Sequence, residues 1–165
     1  MEIRRLLYDR LLRQTSPVIV VICGPPGVGK TTLTGAVRRR LEDRGVVVRS
    51  VHSDSFSSRT YEQLYEAVRT APADALVLVD GTFYRREWQR RFRDLPDVRF
   101  VRVVASLETC LERNRTREDP IETQGVHVVH REFEPPAADL VLDTDDLSVE
   151  AATDRFERAL EEWGE

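Results

Sequence analysis

The chain has 165 residues, 41% of them hydrophobic, which is enough for one globular domain, residues 1–165, with a full core. A formal net charge of −4 and a pI of about 5.5 argue against a protein that coats nucleic acid. Because no apolar run reaches roughly 18 residues and no signal peptide is evident, we predict a cytoplasmic protein with no membrane partner.

The first predicted elements lead into a glycine-rich loop. Residues 2–14 predict an amphipathic helix, because aliphatic side chains recur there at helical spacing between arginines. The β-branched run Pro17–Cys23 predicts a strand buried on both faces, as in a parallel sheet. Residues Thr31–Arg44 predict a helix that Gly45 ends.

The loop between this strand and this helix matches the P-loop pattern G-x-x-x-x-G-K-[ST] at every fixed position. Its backbone N–H groups can surround phosphates at the positive end of the following helix. Lys30 is expected to reach the β- and γ-phosphates, and the Thr31 hydroxyl to bind Mg²⁺. We therefore predict an ATP site with Mg²⁺. Nucleotide binding is assigned to Gly24, Pro25, Pro26, Gly27, Val28, Gly29, Lys30, Thr31 and Thr32.

Residue usage gives two further indications. Of the 25 lysine and arginine residues, only Lys30 is a lysine. Lysine is a compact point charge on a thin stem, whereas arginine is a wide planar fork, so the one lysine marks a position where shape matters as well as charge. Cys23 and Cys110 stand alone in apolar surroundings, which predicts reduced core thiols in an intracellular protein.

The rest of the chain alternates predicted strands and helices. Four more strands are predicted at residues 46–51, 75–79, 98–105 and 140–142. Helices are predicted at residues 60–70 behind a Thr60-x-x-Gln63 capping box, at 84–95, after a Ser106 cap, at 121–133 and at 149–163. This alternation predicts an α/β fold with a doubly wound parallel sheet, whose ligands bind at the carboxyl ends of the strands.

Two aspartates follow predicted strands at that edge. Asp54 could accept a proton from a substrate hydroxyl or hold Mg²⁺ through water, and the alternative is an Asx-turn among serines. Asp80 ends an aliphatic strand, where the acid of a P-loop site orients metal-bound water; the alternative is a helix N-cap. The predicted metal-binding residues are Thr31, Asp54 and Asp80.

A third polar region predicts a lid over residues of about 112–133. Arg113 and Arg117 are four residues apart and are expected to share a helix face. A guanidinium can stack on a base and pair with phosphate, so we place Arg113 at the nucleotide base and Arg117 at the reacting phosphate. The alternative is that this charged stretch is a solvated helix face.

Several segments together resemble a known group. GPPGVGKTT, HSDSF, LVLVDGTFYRR, CLERNRTRE and VVHREFEPP are similar to small P-loop kinases related to L-seryl-tRNA(Sec) kinase. The resemblance implies a P-loop NTPase of the nucleoside-kinase type with strand order 2-3-1-4-5 and a lid. It also implies a catalytic role for the aspartate matched by Asp54 and a lid role for Arg113 and Arg117. Those tRNA kinases carry a further RNA-binding domain, whereas this chain ends at Glu165, which argues against a tRNA substrate without excluding it.

Two other kinase groups resemble parts of the chain. PPAADLVLDT is similar to the last strand of adenylylsulfate kinases, and DSF and VDGTF are similar to uridine-kinase-like proteins. All these groups transfer phosphoryl groups. The sequence therefore predicts an ATP- and Mg²⁺-dependent kinase that acts on a hydroxyl of a small acceptor, with Lys30, Asp54 and Arg117 as the catalytic residues. The rival of another class is a nucleotide-dependent switch or an accessory ATPase of tRNA modification.

Overall fold

Strands and helices alternate along the computed structural model, which describes residues 2–13 and 16–164. The strands are β1 (Val18–Cys23), β2 (Val48–His52), β3 (Leu76–Gly81), β4 (Val98–Val104) and β5 (Leu140–Asp143). The helices are α1 (Glu2–Arg13), α2 (Lys30–Asp43), α3 (Thr60–Arg69), α4 (Arg86–Arg93), α5 (Leu107–Arg115), α6 (Thr123–Glu132) and α7 (Val149–Gly164). The last residue of the predicted first helix, Gln14, lies outside the described residues.

The strands form one parallel sheet in the order β2-β3-β1-β4-β5, which confirms the order that the family resemblance implies. β1 lies in the middle, where Val20 pairs with Leu78 of β3 and Val21 with Phe100 of β4. Every residue of β1 is buried, because helices cover both faces of the sheet. The central strand therefore delivers the P-loop to the middle of the carboxyl edge.

Alternate side chains of the central strands build two hydrophobic cores. One core lies under α2 and α7; its members include Val20, Ile22, Leu33, Val37, Leu41, Phe156 and Leu160. The other lies under α3 and α4; its members include Ile19, Val21, Leu64, Val68, Phe83, Phe92 and Phe100. The two cores pack against opposite faces of the sheet and so stabilise the positions of the loops at its carboxyl edge.

The helix ends test the predicted capping residues. Ser106 caps α5 as predicted, since its hydroxyl accepts a hydrogen bond from the Thr109 N–H at 3.2 Å. The capping box at Thr60 is wrong: Thr60 is the first residue of α3, and the N-cap is Arg59, with a left-handed φ of 48° and no side-chain cap. The Gln63 amide instead donates to the Ser58 carbonyl at 2.6 Å. These polar side chains fasten the preceding loop to the helix.

The predicted environment of the two cysteines is confirmed: Cys23 and Cys110 are both free and buried. None of the helices in the part of the chain that the structure describes is long and apolar enough to cross a membrane.

Candidate active site

The P-loop lies directly on the backbone of β4 and α5. A Cβ atom at Gly24 would stand 2.4 Å from the Val103 carbonyl oxygen, and one at Gly27 would stand 2.7 Å from the Cys110 carbonyl oxygen. Gly27 and Gly29 have φ angles of 87° and 101°, which L side chains rarely adopt. The loop can therefore follow this path only with glycine at these positions.

Gly27→Ala is expected to destabilise the protein by about 2–4 kcal/mol, because the new methyl group meets backbone and the φ angle is strained. Urea unfolding of the purified variant measures this. Gly35→Ala is the matched control: Gly35 lies in α2, and a methyl group there would meet nothing within 4 Å outside its own helix, so the change should be neutral or slightly stabilising. Equal unfolding midpoints for Gly27→Ala and the wild type would contradict this account of the loop.

The N-terminus of α2 is left open towards the loop. Gly29 is the N-cap residue and provides no side-chain cap, and no acidic side chain lies in the first turn. The first N–H groups of a helix have no partner within the helix and attract anions. This end of α2 can therefore bind phosphate, as the motif predicts.

Lys30 lies across the same loop. Its ammonium group donates to the Gly24 and Pro25 carbonyl oxygens, at 2.7 and 2.9 Å. Burial lowers the pKa of Lys30, and the nearby Asp80 carboxylate opposes this shift. Since hydrogen bonds between charged groups are stronger than those to neutral carbonyls, a phosphate group would be a better partner for Lys30 than the loop itself.

Asp80, in β3, contacts both helix α2, which follows the P-loop, and the neighbouring strand β2. Its Oδ2 atom accepts the Thr31 hydroxyl at 3.1 Å and lies 3.1 Å from the His52 Nδ1 atom. Asp80 is only 4% exposed and belongs to β3, while the N-cap of α4 is Arg85. The alternative role of Asp80 as a helix cap is therefore excluded.

A cavity of about 430 Å³ at the carboxyl edge brings most of the predicted residues together. Its predicted lining residues are Pro26, Gly27, Gly29, Lys30, Thr31, Thr32, Asp54, Asp80, Arg113 and Arg117. Gly24, Pro25 and Val28 are buried in the loop behind it. Asp54 lies in a 3₁₀ turn, Ser53–Ser55, that follows β2, and it is exposed. Its side chain forms no hydrogen bond with any residue of the described ranges, so the predicted alternative, an Asx-turn, is not formed.

The two predicted lid arginines do not share a helix face. α5 ends at Arg115, so Arg113 lies in the helix and Arg117 lies beyond it, exposed, although both line the cavity. The Arg113 guanidinium donates to the Gly27 carbonyl at 3.1 Å and to the Thr144 hydroxyl at 2.9 Å. Arg113 is thus held against the P-loop, whereas Arg117 lies in an irregular segment.

Asn114 closes that segment into a short loop. Its amide group donates to the Ile121 carbonyl at 2.6 Å and accepts the Ile121 N–H at 3.0 Å, and Asn114 itself is 4% exposed. The predicted lid range of about 112–133 therefore contains the end of α5, an exposed loop over residues 116–122, and α6. Arg117 lies near the start of the exposed loop.

Several residues of the site were not predicted. Ser53, Thr82 and Ile121 line the cavity, and His52 contacts Asp80. Thr144 follows β5 and donates to the Val28 carbonyl at 2.7 Å while holding Arg113. Asp54 was identified because it is a polar residue that follows a predicted strand. His52 and Thr144 also follow predicted strands and could have been identified in the same way.

The oxygen donors near the P-loop suit Mg²⁺. The metal prefers oxygen ligands and usually keeps several waters, with few protein ligands and the substrate phosphates. The Thr31 hydroxyl and the Asp80 carboxylate supply such oxygens at the open end of α2. No group of three or more His, Cys, Asp or Glu side chains that could hold a metal occurs in the described ranges.

Sequence comparison decides the family. The model of the AAA ATPase domain family matches residues 2–162. The chain belongs to the AAA ATPase domain family. A search of curated protein sequences finds no match.

Solved structures share the fold of this AAA-type P-loop domain. The crystal structure of APE1195 is 19% identical with a TM-score of 0.73, over 91% of this chain and 98% of that one. The Mycobacterium tuberculosis APS kinase CysC in complex with AMPPNP and APS is 21% identical, with a TM-score of 0.70 over 88% and 98%. The Chaetomium thermophilum Kti12 in complex with ADP-AlF3 is 19% identical, with a TM-score of 0.68 over 86% and 98%. At these identities the likeness shows the P-loop NTPase fold alone.

Proposed function

We propose that the protein is an ATP- and Mg²⁺-dependent kinase that transfers the γ-phosphoryl group to a hydroxyl of a small acceptor. The observation that carries this proposal is the position of Asp54. Asp54 lies in the turn that follows β2, and it lines the same cavity as Lys30 and Thr31 of the P-loop. A carboxylate beside the phosphate site can take a proton from a hydroxyl acceptor. Nucleotide binding alone does not require such a group.

Each residue then has a distinct task at the phosphates. The P-loop N–H groups and the open end of α2 bind the phosphate oxygens. Lys30 leaves the loop carbonyls and donates to the β- and γ-phosphates, which stabilises the charge that develops during transfer. Thr31 and Asp80 would hold Mg²⁺, which supplies electrostatic stabilisation of the phosphate oxygens when bound.

Asp54 would orient the acceptor. The acceptor oxygen forms a bond to the γ-phosphorus, the bond from that phosphorus to the β–γ bridging oxygen breaks, and ADP leaves with the electron pair. The proton of the acceptor hydroxyl passes to the Asp54 carboxylate. Because Asp54 is exposed and makes no hydrogen bond with a described residue, its oxygens are available for an incoming hydroxyl.

The size of the cavity supports a small acceptor. Its volume of about 430 Å³ lies in the lower part of the range of small-molecule sites, which is about 300–1,000 Å³. The phosphates of ATP take part of this space. The remaining space suits a small-molecule acceptor. We also propose a cytoplasmic setting, which the two free cysteines favour.

The two lid arginines are expected to affect different quantities, one the maximal rate and the other the affinity for nucleotide. Arg117→Ala is expected to lower the maximal rate about tenfold or more with little loss of ATP affinity, because its contact strengthens as charge develops. Arg113→Ala should mainly weaken nucleotide binding, by about tenfold, because Arg113 is already held beside the P-loop. Steady-state kinetics with binding titrations of a non-hydrolysable ATP analogue separate the two effects.

The control for both variants is Arg115→Ala. Arg115 lies between them, pairs with Glu112 at 2.9 Å and does not line the cavity, so its loss should change neither quantity. Hydrogen exchange across residues 112–120 should also slow when the nucleotide analogue binds. If hydrogen exchange is unchanged at saturating nucleotide, this stretch is a solvated surface and the assignment of a lid is wrong.

A second candidate function is a nucleotide-dependent switch or an accessory ATPase of tRNA modification, in which hydrolysis acts on a partner. The observation that favours it is the likeness to Kti12, which is not a kinase: its TM-score of 0.68 is nearly as high as the 0.70 of APS kinase. A screen of nucleosides, adenylylsulfate, serine derivatives and sugars distinguishes the two. A kinase releases ADP together with a phosphorylated acceptor, whereas an accessory ATPase releases ADP and phosphate whatever small acceptor is present.

A further inference from the structure

Asp80 receives a second hydrogen bond that the P-loop motif does not require. His52 is the last residue of β2 and pairs with Asp80 in the parallel ladder between β2 and β3. Its Nδ1 atom lies 3.1 Å from Asp80 Oδ2, the same oxygen that accepts the Thr31 hydroxyl. The hydroxyl and the imidazole thus approach one carboxylate oxygen from different elements, α2 and β2.

We propose that His52 is a positioning residue that fixes the Asp80 carboxylate for binding of the Mg²⁺–nucleotide complex. This inference rests on the proposed function only in assigning Mg²⁺ to Thr31 and Asp80. An ionised carboxylate only accepts hydrogen bonds, so His52 Nδ1 carries the proton that is donated. With both donors on Oδ2, rotation of the carboxylate would break a hydrogen bond, and Oδ1 accepts no hydrogen bond from any described residue.

The surroundings of Asp80 explain why a second donor matters. Asp80 is almost fully buried, and a buried carboxylate with one hydrogen bond could turn about its last side-chain bond. Residues that hold the ligands of a metal site in orientation commonly change metal affinity by about 10- to 100-fold when removed. The His52 side chain is 36% exposed at the carboxyl edge, so its replacement does not open a hole in the core.

A purely structural role for His52 makes a different prediction. β2 and β3 are already joined by a parallel ladder of five residue pairs from Val48 to His52. If His52 only adds to that ladder, its loss should lower stability and affect nucleotide binding equally with and without metal. If it positions Asp80, its loss should weaken binding only where Mg²⁺ takes part.

Calorimetric titration with a non-hydrolysable ATP analogue, in Mg²⁺ and in EDTA, tests the proposal on the full chain. For the wild type, Mg²⁺ should increase the affinity. His52→Leu keeps the size of the side chain and removes the donor, and it should reduce this Mg²⁺-dependent gain about tenfold with the affinity in EDTA unchanged. His52→Asn places an amide N–H near the Nδ1 position and should retain most of the gain.

Ser50→Ala is the matched control on the same strand. The Ser50 hydroxyl is buried two residues before His52 and has no hydrogen-bond partner among the described residues, so its removal should leave the Mg²⁺-dependent gain intact. An undiminished gain in folded His52→Leu, or an equal loss with and without Mg²⁺, would overturn the role of His52 alone. If His52→Leu does not fold, loss of the gain in folded His52→Asn would overturn it as well. A wild type without any Mg²⁺-dependent gain would overturn the magnesium assignment and this inference together.

Discussion

Lys30→Ala should lower the maximal rate of phosphoryl transfer by about a hundredfold or more while the protein remains folded. One charged donor to a developing phosphoryl charge contributes on the order of 3 kcal/mol to transition-state stabilisation, and each 1.4 kcal/mol is about tenfold in rate. Folding should not suffer, because burial lowers the pKa of Lys30 and so works against its charged form. Single-turnover kinetics and thermal unfolding of the purified variant measure both quantities.

Two further variants sharpen the test of Lys30. Lys30→Arg should also fail, because the planar guanidinium is too wide for the position between the Gly24 and Pro25 carbonyls. Arg39→Ala removes a positive charge from an exposed position on the same helix, away from the cavity, and should leave the rate unchanged. Near-normal transfer by folded Lys30→Ala would refute the P-loop assignment.

The parts of the site that could be predicted are those that short sequence patterns define. The P-loop depends on a fixed local spacing between Gly24 and Thr31, and the run Pro17–Cys23 has the composition of a strand buried on both faces. Asp54 and Asp80 could be placed because the carboxyl ends of parallel strands meet at one edge. Each of these inferences needs only neighbouring residues and the fold class.

The contacts that could not be predicted join residues far apart in the chain. Arg113 is held by Thr144, 31 residues later, and His52 lies beside Asp80 through the register between β2 and β3, which the strand order alone does not give. The helix that should have carried both lid arginines ends early, since Asn114 hydrogen-bonds to Ile121 and folds the chain back. A spacing of four residues predicts a shared face only while the helix continues.

The failed capping box has a related cause. The pattern Thr60-x-x-Gln63 is compatible with a helix N-terminus, but the left-handed conformation of Arg59 lets the helix start one residue earlier than the pattern requires. The Thr60 hydroxyl then donates to the Phe56 carbonyl at 3.3 Å. Side chains of this kind bond equally well to the helix and to the preceding loop, and the backbone conformation decides between the two.

Asp54→Asn should reduce transfer to the acceptor by about 10²- to 10⁴-fold and leave the affinity for an ATP analogue near that of the wild type. The amide has nearly the same shape but accepts a proton far less readily, and Asp54 makes no hydrogen bond with a described residue that the change would break. Acceptor phosphorylation and calorimetric binding of the analogue give the two numbers. Asp74→Asn, at an exposed position before β3 on the opposite edge of the sheet, is the matched control.

The same variant separates the two roles left open for Asp54. If the carboxylate takes the proton of the acceptor, additional Mg²⁺ should not restore the rate of Asp54→Asn. If it holds Mg²⁺ through water, the variant should need a higher Mg²⁺ concentration and recover at saturation. Unimpaired transfer by Asp54→Asn at low Mg²⁺ would exclude both roles. The proposal of a kinase would then lose the observation that carries it, because Asp54 is the one group of the described cavity to which a hydroxyl proton is assigned.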